Sequence, residues 1–240
     1  MHLRTGAADM GESLRIGTPP IEVHLRRLAR ARRLTLRVSQ IDGTVTLTVP
    51  HCVGTGEAAR FASSREGWLR ATLQRTGRAQ TVHLGGTVPF EGQPLPLVAA
   101  PVRAPVLADG ALRVPADPSR LGPRVAAFLK TEARSRLVAA TDRHAAALGR
   151  PYGRITLRDT RSRWGSCSAE GNLMYSWRVV MAPPEVLDYL VAHEVAHLAE
   201  MNHSPAFWDT VARLCPGFRG PRAWLRQQGG TLMQLRFDGA

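Results

Sequence analysis

A chain of 240 residues with 44% hydrophobic side chains is long enough to bury one large core or two small ones. No stretch approaches the roughly 18 consecutive apolar residues that cross a bilayer, and residues 1–17 lack the apolar run of a secretory signal, which excludes a membrane-spanning helix and points to a cytoplasmic protein. Three cysteines with no C-x-x-C pair exclude a disulfide framework or a cysteine zinc cluster, while the net charge of +13 leaves nucleic acid or another anionic partner open.

Residues 1–20 are polar and aperiodic and are read as a flexible leader. From Ile21 the sequence alternates, with Ile21, Val23 and Leu25, then Leu34, Leu36 and Val38, then Val45, Leu47 and Val49 each on one face. With Asp42-Gly43 as a hairpin turn, this predicts a small antiparallel sheet. A helix over 57–74 carrying Phe61, Trp68 and Leu69 follows, then proline- and glycine-punctuated strands to Pro115. Residues 21–117 are therefore expected to form a β-rich domain. A second domain, 118–240, opens on an amphipathic helix over 123–148 with Val125, Phe128, Leu129, Leu137 and Val138 on its apolar side. Strands at 154–158 and 172–177 flank a loop holding Trp164-Gly165-Ser166-Cys167, and Pro183-Pro184 leads into a helix over 185–200. The fold class expected is α+β.

The chemistry concentrates in that last helix. His193-Glu194-Val195-Ala196-His197 is an H-E-x-x-H pattern, whose four-residue spacing brings two imidazoles to one helix face, one turn apart, where both reach one metal. Glu194, one position round, is placed to hold a metal's water without being a ligand. Val186, Leu187, Leu190, Val191, Val195 and Leu198 make the helix apolar over most of its girth, and buried ionisable groups are costly unless paired or metal-bound. A catalytic zinc takes three protein ligands and keeps one place open, and His203 is the candidate third ligand. To deliver it the helix must break after His197; Asn202 is a residue type suited to a left-handed turn, and Ser204-Pro205 caps a new helix bearing Phe207 and Trp208. No glutamate follows Glu200, and Asp209 falls inside that new helix.

The run Arg163-Trp164-Gly165-Ser166-Cys167, followed by H-E-V-A-H and by Asn202-His203-Ser204 with Phe207-Trp208, resembles the YgjP-like metallopeptidase family, and more distantly the Wss and SprT-type proteases that act on DNA-bound proteins. The resemblance is best over 154–225. It implies a zincin-like catalytic domain with one zinc ion on His193, His197 and His203, Glu194 as general base, and a protein or peptide substrate. The spacing to the third histidine equals that of the metzincins, but Glu200 stands where they carry glycine.

Metal-assisted hydrolysis also needs a group to meet the charge developing on the carbonyl oxygen, and Tyr175, Arg178 and Arg163 are candidates, with Trp164 as a cleft-lining residue. By resemblance to zincins, the 172–177 strand is the expected sheet edge for an added substrate strand. Cys167 reads as a small buried thiol. Arg26, Arg27, Arg30, Arg32, Arg33 and Arg37 form the densest basic cluster, either a solvated face or a stripe for nucleic acid or a nucleoprotein. Two other readings stay open: a metal-dependent nucleotide phosphohydrolase, and a non-enzymatic nucleic-acid-binding module with a structural metal.

Overall fold

The computed structural model describes residues 12–39, 43–75, 80–160 and 163–237. The chain divides into two compact units, Met1–Ala79 and Gln80–Ala240.

In the first unit the alternating segments form strands β1 (Glu12–Ile16), β2 (Ile21–Leu28), β3 (Thr35–Val38) and β4 (Val45–Pro50), followed by helices α1 (Thr55–Ser64) and α2 (Glu66–Arg75). Two expectations are corrected here. Residues 12–16 are not leader but a strand antiparallel to β2, because Ile16 buries beside Ile21; residues 1–11 lie outside the described residues. The sheet is mixed, not antiparallel: in the order β1-β2-β4-β3, β4 pairs antiparallel with β3 but parallel with β2. Period-two alternation fixes which face a strand buries and is silent on its neighbour. Gly43 keeps the left-handed φ of 71° expected of the β3–β4 hairpin, while Asp42 lies outside the described residues. The predicted single helix is two, broken at Arg65, whose N–H returns to the Ala62 carbonyl at 3.0 Å. Val23, Leu47, Val49, Ala58, Ala62 and Leu69 are fully buried between sheet and helices.

The second unit contains β5 (Gln80–Thr81), β6 (Thr87–Phe90), β7 (Gln93–Ala100), β8 (Val106–Ala108) and β9 (Ala111–Pro115), then α3 (Leu121–Leu148), β10 (Ile155–Arg158), β11 (Gly165–Cys167) and β12 (Leu173–Ser176). A 3-10 turn, Trp177–Met181, leads to α4 (Pro184–Ala196), α5 (Pro205–Leu214), α6 (Arg219–Met233) and β13 (Leu235–Arg236). With helices, small sheets and both classes mixed along the chain, the fold is α+β. The division between units falls at 79/80, ahead of the change expected at 117/118, because Val88, Leu97, Leu112 and Val114 of the β6-β7-β9-β8 sheet bury in one cluster with Val125 and Leu129 of α3.

Helix α3 is the spine. Val125, Leu129, Ala133, Leu137 and Ala140 recur at three- and four-residue spacing on its buried face, and Gly149 ends it in the left-handed conformation. The third sheet has the order β10-β12-β11, so β12 is central, and the predicted Trp164 loop contributes β11, an edge strand antiparallel to β12. No helix among the described residues is long and apolar enough to cross a membrane.

Candidate metal centre

Helix α4 begins on Pro184 and ends at Ala196, four residues earlier than the sequence suggests, with His197 as its C-cap. Val191, Ala192, Val195 and Ala196 are fully buried, so one turn presents His193 and Glu194 from inside the protein. The chain then reverses through 197–200. Glu200 N–H donates to the Ala196 carbonyl at 3.0 Å, and His197 Nδ1 lies 2.9 Å from the Glu200 carbonyl. A carbonyl only accepts, so His197 Nδ1 carries the proton and Nε2 keeps its lone pair. Asn202 is not left-handed as expected; no positive φ is needed, because a tight turn closed by Ser204 N–H to the Asn202 carbonyl at 2.8 Å redirects the chain. Ser204 Oγ then accepts from Phe207 N–H and Pro205 opens α5, as the sequence predicts.

This brings the three histidines together. One ring nitrogen from each of His193, His197 and His203 lies within 4.8 Å of the others, and Nε2 of His193 and His203 are 3.2 Å apart. Phe207, fully buried, is the floor: its ring centroid is 4.5 Å from His197, 4.7 Å from His203 and 5.0 Å from His193. Trp208 stacks on His203, and the Arg222 guanidinium carbon lies over the Trp208 ring, 4.1 Å from its centroid. The sequence marked Phe207 and Trp208 as apolar residues of a new helix and as part of the family motif, without a place at the site, and Arg222 carried no signal.

Burial pushes the His193 pKa down to about 4, with smaller repulsions from His197 and His203, so its ring is neutral and its nitrogens keep ligand character. His193 Nδ1 is buried and has no hydrogen-bond partner among the described residues. Burial raises the Glu194 carboxyl to about 8, against the opposing pull of Arg163. Glu194 is 4% exposed and receives no hydrogen bond from any described residue. Its neighbour is Gly165 of β11: a Cβ built there would overlap the carboxylate and lie 2.7 Å from Glu194 Cγ. Only glycine lets β11 pass this close.

The remaining candidates separate. Arg163 is exposed, and its charge reaches Glu194. Trp164 packs toward α6, where a Cβ on Gly229 would lie 3.0 Å from its ring. Tyr175 is fully buried in β12 with its hydroxyl 3.2 Å from Thr141 Oγ1. Arg178 is engaged inside the protein: it pairs with Asp159 at 2.6 Å and donates to the Leu232 and Leu235 carbonyls, so four of its five N–H donors are used there. Cys167 is half-buried, and burial raises its thiol, with Glu194 adding to the effect.

A protein-family model described as YgjP-like, metallopeptidase domain matches residues 32–228. The chain belongs to the YgjP-like metallopeptidase family. The match runs across the division between the two compact units, and it makes the protein a metal-requiring peptidase acting on protein or peptide. Among solved structures, the crystal structure of the metallopeptidase zymogen of Pyrococcus abyssi abylysin is 25% identical over 40% of this chain and 95% of that one, with a TM-score of 0.32. No curated protein sequence matches the chain significantly.

Proposed function

We propose that the protein is a cytoplasmic zinc metallopeptidase in which His193, His197 and His203 hold one zinc ion and Glu194 is the general base. The observation that carries this reading is the convergence of three imidazoles beside a buried carboxylate. Ligands at ~2.0–2.1 Å around a tetrahedral zinc stand about 3.3 Å apart, and the 3.2 Å between Nε2 of His193 and His203 fits that edge. The donor set fits as well. His197 has its tautomer fixed by Glu200, and His193 stays neutral.

Zinc bound there supplies Lewis acidity, bringing the pKa of its water toward ~7 and polarising the scissile carbonyl. Glu194, which burial raises to about 8 and Arg163 pulls back, would be further favoured in its ionised form beside a bound dication, and its role is to take the proton of the attacking water. The same carboxyl then delivers that proton to the leaving amine. Arg163 is the candidate partner for the carbonyl oxygen, since Arg178 is committed to Asp159 and Tyr175 to the core.

The edge expected at 172–177 moves to β11, because β12 is flanked on both sides. Ser176 N–H donates to the Trp164 carbonyl and Ser168 N–H to the Asn172 carbonyl, so by alternation the backbone groups of Gly165 and Cys167 face outward. An extended substrate lying along β11 would place its carbonyls beside Glu194.

Metal analysis of the native protein alongside cleavage of an unfolded protein substrate tests this. About one zinc per chain is expected, with turnover abolished by a chelator and restored by zinc. A chain that cleaves substrate without bound metal, or at full rate as Glu194→Gln, sinks the assignment.

A further inference from the structure

The first compact unit carries a surface that the metal centre does not use. Strand β3 ends its sheet, and no described residue pairs with its outer edge. Ser39 N–H donates to the Thr44 carbonyl at 2.8 Å, which puts pairs Thr35↔Thr48 and Arg37↔Thr46 in the hydrogen-bonded register. By alternation the N–H and C=O of Leu36 and Val38 point outward. Such an edge is a template for one more strand.

A groove of about 320 Å³ lies beside this edge, lined by Arg33, Leu34, Thr35 and Leu36 on the strand side and by Phe61, Arg65 and Trp68 on the helix side. Trp68 is 47% exposed although its neighbour Leu69 is fully buried. The predicted apolar helix face therefore leaves its largest side chain in water. Arginines on an edge strand serve simply to keep copies of a protein from pairing, but an exposed tryptophan in a groove beside the edge works against that purpose.

Within β3, half-buried Leu36 and buried Val38 alternate with exposed Thr35 and Arg37, and Arg33 joins Leu34 and Leu36 in the groove lining, so apolar and basic side chains stand together along this edge. Arg27 and Arg70 are paired to Glu12 and Glu66, whereas Arg33, Arg37 and Arg65 have no ion-pair partner among the described residues. Residues 1–79 hold thirteen arginines against six acidic residues, so the imbalance is general in this unit.

We propose that the outer edge of β3 is an exosite, remote in sequence from the metal centre, that takes an extended protein segment of alternating apolar and acidic residues as an added strand. Backbone groups of Leu36 and Val38 pair with the incoming strand. Its apolar side chains enter the groove against Phe61 and Trp68, and its acidic side chains lie beside Arg33 and Arg37, where opposite charges across a strand pair attract. Single-stranded nucleic acid would use the arginines and the exposed ring but would leave the outward amides and carbonyls without a matched partner.

The test is fluorescence anisotropy on the full chain with a labelled peptide Glu-Val-Glu-Phe-Glu-Val-Glu, its lysine-for-glutamate counterpart, a peptide of the same composition with the glutamates grouped at one end, and a short oligothymidylate. Saturable binding of the alternating acidic peptide is expected, weakened about tenfold or more by Trp68→Ala, by Arg65→Glu and by Arg33→Glu combined with Arg37→Glu. Arg65→Glu changes an exposed side chain and keeps the test valid if Trp68→Ala disturbs the fold. Binding must also persist after chelation, which separates this surface from the zinc assignment. Absence of saturable binding, equal binding of the lysine or grouped peptide, or affinity untouched by the substitutions overturns the proposal. So does oligothymidylate binding that the same variants abolish while the peptide does not bind.

Discussion

Two buried polar clusters in the second compact unit meet opposite conditions. Arg178, 8% exposed, donates from Nε and Nη2 to Asp159 and from Nη1 to the Leu232 and Leu235 carbonyls, with the rings of Trp177 and Phe237 beside its guanidinium. His193 is half-buried and Glu194 is 4% exposed, yet among the described residues His193 Nδ1 has no partner and Glu194 receives no hydrogen bond. A buried polar group with every demand met holds a fold together; one left unmet costs free energy that the rest of the structure must offset. Convergence of such unmet groups on one spot marks where chemistry is done. Both clusters contain residues that the sequence offers as catalytic candidates, and the pairing separates them.

The sharpest way to break this contrast is to substitute one residue from each side. Glu194→Gln should lower kcat by on the order of 10²–10⁴ while fold and metal content are kept, checked by turnover and elemental analysis. Arg178→Met should do the converse. Leaving the Leu232 and Leu235 carbonyls and Asp159 without their donor should cost about 3 kcal/mol in chemical denaturation, with kcat per folded molecule unchanged. If Arg178→Met lowers kcat and not stability, the two clusters have been assigned the wrong way round.

Gly165 extends the contrast to the backbone. Its missing side chain leaves room for the Glu194 carboxylate, so Gly165→Ala should displace that group and lower kcat by about 10²-fold, the usual penalty for misplacing a catalytic group by an ångström. Steady-state kinetics should show the loss in kcat with KM little changed.

Asp188 sharpens the paired side. Hydrogen bonds from His144, at 2.8 Å, and from Arg143 hold its carboxyl below the usual range and tie α4 to α3. A carboxyl whose pKa is lowered on folding contributes stability above its unfolded value of ~3.9, and that contribution fades as pH falls through the folded value. Asp188→Asn should therefore cost about 1–2 kcal/mol near neutrality, and the denaturation curves of the two proteins should converge as pH drops below ~4. A gap that persists in acid would show that the side chain's packing, not its charge, is what matters.

Much of the site is legible from local pattern. The spacing of His193 and His197, the apolar girth of α4 and the Ser204-Pro205 start of α5 are written within a few residues each, because helix period and capping are short-range properties. Asn202 shows the limit of such reading: its residue type suits a left-handed turn, yet the chain turns without one because Ser204 N–H closes a tight turn on the Asn202 carbonyl. Phe207 reads as an ordinary apolar helix residue, and its place beneath three imidazoles depends on how α5 folds back on α4.

The sequence by itself determined the α+β class, the faces that β2 and β4 bury, the run of α3 and the residues of the H-E-x-x-H turn, all set by periodicity along the chain. Only the tertiary structure decided that β11 and not β12 is the edge, that β2 and β4 run parallel, that Arg178 is spent on Asp159, and that Gly165 lies against Glu194. The physical reason is range. Alternation and helical period say which side of an element turns inward, whereas the partner it meets there comes from residues tens of positions away, through packing and hydrogen bonds that no local pattern encodes.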